Sequence, residues 1–130
     1  MTTILAFDFG TVNTGVATGN GISRTASPIA TLAMRDGRPR WRELRALVEE
    51  WRPDRLVVGL PLNMDGTETT VAPQAKDFAR ELERRYGLPV TLVDERLTSV
   101  AAAERVAATD PRSHAVAAAI IAEQFLSTTP

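Results

Sequence analysis

Apolar positions fall first into short runs and then into helical stripes. Ile4, Leu5, Ala6, Phe7 and Phe9 form a nearly continuous apolar run, the pattern of a strand buried on both faces. This predicts a strand over residues 4–9. Gly15-Val16-Ala17-Thr18 follows a turn at Asn13-Thr14 and pairs back as a hairpin, with Asn20-Gly21 as the next turn. Residues 27–32 predict a third strand and residues 35–39 a polar loop. Over residues 40–51, Trp41, Leu44, Leu47, Val48 and Trp51 recur every three or four positions, so this segment is an amphipathic helix. Its stripe makes both tryptophans core anchors rather than base-stacking platforms. Leu56-Val57-Val58-Gly59-Leu60 is a short buried strand closed by Pro61. Residues 72–86 predict a helix with Ala75, Phe78, Ala79 and Leu82 inward and Gly87 as its stop. A strand from Val90 and two alanine-rich helices over 98–108 and 113–126 complete the chain. Three strands followed by alternating helix and strand imply an α/β sandwich with a mixed sheet. No repeat, linker or low-complexity tract divides it, so residues 1–130 are expected to form one domain.

The first strand ends in Asp8-Phe9-Gly10-Thr11. A carboxylate has no cheap place in a buried run unless something pairs with it. Gly10 allows a sharp turn and a close approach to a ligand, and Thr11 adds a donor beside it. The pattern suits an oxygen ligand for a hard cation near phosphate, against the plainer reading of Asp8 as a turn cap. Val90-Thr91-Leu92-Val93 likewise ends in Asp94-Glu95-Arg96. Successive strand side chains point to opposite faces, so Asp94 and Glu95 cannot both serve one site, and the one left out is expected to bond locally or to an arginine.

Composition bounds the class. The chain has 130 residues, 44% of them apolar, and no cysteine. It is globular, without disulfides or thiolate metal sites, which fits a reducing compartment. No apolar run nears the roughly 20 residues of a membrane span, and the N-terminus lacks signal-peptide regions; a cytoplasmic protein is expected. The net charge of −1 does not advertise a nucleic-acid binder. Its distribution says more. Fifteen basic residues include a single lysine, and Arg35, Arg38, Arg40, Arg42 and Arg45 crowd one segment. Arginine suits bidentate phosphate contact, although a solvated helix face would read the same way. The connector from Gly59 to Thr69 exceeds the usual two to six residues, and Asn63, Thr67 and Thr69 set neutral donors beside a strand end, where α/β proteins place their sites.

Asp8-Phe9-Gly10-Thr11 with Gly15-Val16-Ala17, then Val58-Gly59-Leu60-Pro61-Leu62-Asn63-Met64-Asp65-Gly66-Thr67-Glu68, then Asp94-Glu95-Arg96-Leu97-Thr98-Ser99, resemble the motifs of the YqgF (RuvX-like) family. They occur in the family's order across nearly the whole chain. These are Holliday-junction-resolvase-like proteins, regarded as nucleases that trim the 5′ end of pre-16S ribosomal RNA. The resemblance implies an α/β, ribonuclease H-like fold with a five-stranded mixed sheet flanked by helices. It puts the site at the ends of the first and fourth strands of the sheet core, and it implies a divalent metal, magnesium or manganese, held by carboxylates. Its partners would be nucleic acid: pre-rRNA or branched DNA.

Carried over one residue at a time, Asp8 matches the family's first acid and Glu95 its second. The third normally opens the last helix, and here that position is His114. Three readings stay open. His114 is the third ligand, since a neutral imidazole binds metals; or Asp110 substitutes from the loop, although Asp110-Pro111 also reads as an N-cap followed by proline at N1; or the site is lost and the chain only binds RNA or branched DNA. In the first, Asp8 bridges two metals about 3.5–4 Å apart, Glu95 holds one, and His114 holds the other or acts on the water. Thr11, Asn63 and Arg96 would meet the substrate. A fragment of a phosphate-binding ATPase or sugar kinase is a further class, because such folds open on a similar Asp-x-Gly-Thr turn, yet they need two domains around the nucleotide.

Overall fold

The computed structural model describes residues 3–95 and 112–128. Within them β1 (Thr3–Asp8), β2 (Asn13–Asn20), β3 (Thr25–Arg35), β4 (Arg38–Pro39), β5 (Arg55–Leu60) and β6 (Val90–Asp94) form one mixed sheet in the order β4-β3-β2-β1-β5-β6. β1 runs antiparallel to β2 and parallel to β5, and β5 runs parallel to β6. The helices are α1 (Trp41–Trp51), α2 (Ala72–Tyr86) and α3 (Ser113–Thr128). The helix expected over residues 98–108 lies outside the described residues.

Six strands replace the expected five, and the extra one comes from the stretch read as a polar loop. Asp36 and Gly37 take positive φ values of 51° and 77°, the backbone that two-residue hairpins require. Arg38 and Pro39 therefore fold back on Arg35 and Met34. β3 is also longer than the 27–32 expected, because Thr25, Ala26 and Ala33 extend its pairing to the whole of β2 while Met34 and Arg35 pair with β4. Along its outer edge Pro28 removes a donor and the register shifts at Val16/Ala17, two features that discourage pairing with another chain.

The period of β1 divides the core. Leu5, Phe7 and Phe9 pack with Leu44 of α1 and Ala75, Phe78 and Leu82 of α2. Ile4 and Ala6 face the other way, onto Ile121, Ala122 and Leu126 of α3. Phe78 centres the first layer, with ring centroids 5.7 Å from Phe7, 5.2 Å from Phe9 and 6.2 Å from Trp41. Trp41 packs on Phe78 and carries the Arg85 guanidinium 3.9 Å from its ring centroid, so its core role matches the helical stripe. α2 keeps the expected limits, and Gly87 ends it at φ 64° with its N–H on the Glu83 carbonyl. α3 is apolar around most of its circumference, from Ala115 to Ala122. Small residues let it lie close on the sheet.

Candidate active site

Asp8 ends β1 on the face of Ile4 and Ala6, so alternation alone aims it at α3. Glu95 follows β6 and shares the face of Val93, which packs on the same layer. Asp94 points the other way and is exposed. The backbone N–H of Glu95 donates to the Leu60 carbonyl at 3.2 Å, carrying the β5–β6 ladder one residue further. The second acid thus follows β6, the strand from Val90 at whose end the sequence placed it.

One strand, β5, separates the two acids, and Gly59 is what lets them meet. The β1–β5 register of Phe7 with Val58 places Gly59 beside Asp8, and Gly59 pairs with Val93. A Cβ at Gly59 would overlap Glu95 Oε2 and come within 2.5 Å of Ile121 Cδ1. The missing side chain is the space through which Glu95 crosses to Asp8. A glycine inside a buried strand is a signal for such an approach, and the sequence reading passed over it.

The two carboxyls lie close enough to share a proton. Burial raises Asp8 above its ordinary value, offset in part by the bond from Glu95 and by the charge of His114. Glu95 is pushed up to about 10, first by burial, then by the Asp8 charge, the bond to Asp8 and the Asp94 charge. Glu95 therefore carries the pair's proton and donates to the Asp8 carboxylate, the usual outcome for two acids sharing a site. Its Oε2 is buried with no hydrogen-bond partner, a costly state for a polar atom. An unpartnered carboxyl oxygen beside a second carboxylate is an all-oxygen donor set that fits a hard divalent cation.

His114 reaches this region through its backbone. Asp8 pairs with Gly15 across the β1–β2 ladder, and a Cβ on Gly15 would overlap the His114 carbonyl and lie 2.6 Å from the Ala115 nitrogen. The N-terminus of α3 therefore rests on bare backbone opposite Asp8, and the His114 charge is felt there. Asp8, Glu95 and His114 do not close into one metal-holding trio: among the described residues no three or more acids, histidines or cysteines converge in that way. Two oxygen ligands adjoin; the histidine stands off. Asp110 and Arg96 lie outside the described residues.

The turn after Asp8 is held by Thr14, a fully buried residue. Its hydroxyl accepts from the Gly10 N–H at 3.2 Å and donates to the Gly10 carbonyl at 3.3 Å. Thr11 is partly exposed, and its carbonyl accepts the Gly37 N–H at 3.3 Å. The donors expected of the long connector are engaged within it. Asn63 Nδ2 donates to Thr67 Oγ1 at 3.0 Å, Thr67 Oγ1 donates to Asp65 at 2.7 Å, and Thr69 Oγ1 donates to the Pro61 carbonyl at 2.9 Å. An isolated bridge between Leu62 and Glu68 closes the loop, which leaves Met64 68% exposed at its tip.

Comparison with known proteins bears on the family and the fold. A protein of Shewanella denitrificans named "Putative pre-16S rRNA nuclease" is 45% identical over 130 aligned residues, covering 95% of this chain and 92% of that one. One of the same name from Alcanivorax borkumensis is 46% identical, covering 95% of each. Among solved structures, Thermus thermophilus RuvC in complex with a Holliday junction substrate superposes with a TM-score of 0.59 at 15% identity, over 97% of this chain and 94% of that one. The fowlpox virus Holliday junction resolvase gives 0.58 at 12%, over 97% and 98%. These likenesses show a ribonuclease H-like fold of the resolvase type. The family model for RuvX, Holliday junction resolvase, matches residues 2–128, and the chain belongs to the RuvX family.

Proposed function

We propose that this protein is a metal-dependent nuclease that hydrolyses phosphodiester bonds in the 5′-end processing of pre-16S rRNA, in the cytoplasm where that precursor is found. The carrying observation is the Asp8–Glu95 pair, two carboxyls pressed together across Gly59 with Glu95 Oε2 buried and unpartnered. Such a pair is costly to fold and has a use if a cation replaces the shared proton. The names of the relatives supply the substrate.

Asp8 and Glu95 would hold the cation, with His114 as a third group near enough for its charge to act on Asp8. A divalent ion bound there supplies Lewis-acid polarisation of a phosphodiester oxygen and a more acidic water. The chain's own contribution is placement. Thr14 fixes the turn that carries Asp8, and Gly59 admits Glu95. The N-terminus of α3, resting on Gly15, brings a positive helix end toward the site, which favours an anionic substrate. Thr11, on the turn after Asp8, would meet a substrate phosphate; Arg96 is assigned the same role from the family resemblance alone, and Asn63 would have to give up its bond to Thr67 to join them.

The test is cleavage of a 5′-extended precursor RNA and of a four-way DNA junction, each with magnesium, manganese or chelator. Metal-dependent cutting of the RNA that disappears in Asp8→Asn is the expected result. Cutting of the junction alone would replace the substrate. Binding without cutting under either metal would make the protein a nucleic-acid-binding module.

A further inference from the structure

The arginine-rich segment does not stay together. Arg45 pairs with Glu49 at 2.9 Å along α1, and Arg40 sits 3.7 Å from Glu43. On α2, Arg80, Arg84 and Arg85 are all matched to Asp77 or Glu81. Arg35 and Arg38 differ, having no acidic partner within ion-pair distance among the described residues. They flank the two-residue β3–β4 turn and, with Arg40, line an open cleft of about 690 Å³ against a single carboxylate, Asp36. Three guanidiniums against Asp36 and the Glu43 beside Arg40 make a local positive surface on a chain whose net charge is −1. An ordinary solvated arginine face resembles α2, with each charge answered; this cleft leaves Arg35 and Arg38 open.

The place of the cleft gives it a role. Asp8 pairs with Gly15 and Gly15 with Thr31, so Arg35 lies four residues past the level of Asp8 along β3. At about 3.3 Å per residue and about 4.8 Å between strands, Arg35 stands on the order of 16 Å from Asp8. The β3–β4 hairpin thus overhangs the end of the sheet that carries the acids. It is fastened there by the Met34 N–H on the Val12 carbonyl at 2.8 Å and by the Gly37 N–H on the Thr11 carbonyl at 3.3 Å. Both bonds go to the turn that follows Asp8, so cleft and acid pair are held in one frame.

We propose that the Arg35–Arg38–Arg40 cleft is the docking surface for the RNA strand flanking the scissile phosphate, gripping its backbone while the Asp8–Glu95 end meets the bond to be cut. This rests on the nuclease reading for its substrate. At about 3.4 Å of helix axis per phosphate of one strand, the separation covers on the order of five phosphates of a paired strand. The grip is to phosphate and not to bases: guanidiniums suit bidentate phosphate contact, and Trp41, near the hairpin, already has the Arg85 guanidinium over its ring and Phe78 stacked beside it.

The experiment measures equilibrium binding of a 5′-extended RNA hairpin in chelator, so that no cleavage enters, by the Asp8→Asn protein with and without Arg35→Gln, Arg38→Gln and Arg40→Gln together. All three positions are exposed, and unchanged circular dichroism and thermal midpoint verify the fold of the triple variant. Each lost phosphate contact lowers the slope of log affinity against log salt by roughly 0.7 to 0.9. The expected result is a slope shallower by about 2.1 to 2.7, so that from 50 to 200 mM salt the parent loses about 20- to 40-fold more affinity than the variant. An unchanged slope, no RNA binding by the parent, or a loss seen on duplex DNA but not on RNA would each overturn the proposal. Cleavage is scored separately with the unsubstituted Asp8 protein and metal, so a failure to cut counts against the nuclease reading alone.

Discussion

Replacing Glu95 by glutamine should stabilise the metal-free protein, and by an amount that depends on pH. Folded Glu95 holds its proton up to about 10, whereas the unfolded side chain releases it near 4.5. Between those values the folded state binds one proton more than the unfolded state. That contribution to stability is complete below pH 4.5 and declines as pH rises toward 10, by about 1.4 kcal/mol per pH unit. At pH 7 the wild type has lost about 3 kcal/mol, a substantial part of the 5–15 kcal/mol typical of a domain. Glutamine keeps the shape, donates its amide N–H to the Asp8 carboxylate and needs no proton. Asp8 is itself raised by burial, so its share of the decline begins lower, near 3.8, and belongs to both proteins. Urea unfolding in chelator at pH 5, 7 and 9 should show Glu95→Gln level with wild type at pH 5, ahead by about 3 kcal/mol at pH 7 and further ahead at pH 9. A divalent cation added at pH 8 should recover the wild type and leave the variant nearly unmoved, because mass action stabilises only the protein that binds. A stability difference that stays flat from pH 5 to 9 would refute the shared-proton account of this pair.

Asp8→Asn should abolish RNA cleavage and be at least as heat-stable as wild type without metal, since it also relieves like-charge repulsion; wild-type cutting would remove Asp8 from the mechanism. Gly59→Ala places a methyl on Glu95 Oε2 and near Ile121, so cleavage should fall at least tenfold and the metal-free protein should lose about 1–3 kcal/mol from overpacking; normal activity would show that Glu95 need not cross β5. Gly15→Ala meets only backbone of α3, which cannot swing aside as a side chain can, and should lower the thermal midpoint more than Gly59→Ala. If His114 is the third ligand, wild-type cleavage should favour manganese, His114→Asp should shift the preference toward magnesium, and His114→Ala should lose most activity; undiminished cutting by His114→Ala with both metals would make Asp110 the residue to test.

The sequence by itself determined what depends on neighbours along the chain. The three-and-four spacing of Trp41, Leu44, Leu47, Val48 and Trp51 predicted α1 and its buried stripe, and Gly87 marked the end of α2, because helix faces and caps are set within a few residues. Alternation separated Glu95 from Asp94 before any fold was known, since a strand cannot turn two adjacent side chains to one face. The polar stretch 35–39 read as a loop because its hairpin depends on positive φ at Asp36 and Gly37 and on pairing with a strand already in place.

Only the tertiary structure decided which groups meet. Asp8 and Glu95 lie 87 positions apart in the numbering and come together because two parallel pairings place β5 between them and Gly59 leaves the gap open. The same holds for Gly15 under α3 and for the hairpin clasped to the Thr11 turn. Asn63, Thr67 and Thr69 looked available to a ligand because composition records that donors exist but not where they bond, and the closed loop engages them internally. Side-chain chemistry and local geometry travel with the sequence; the absence of a side chain acquires meaning only when another strand or helix arrives to use the space.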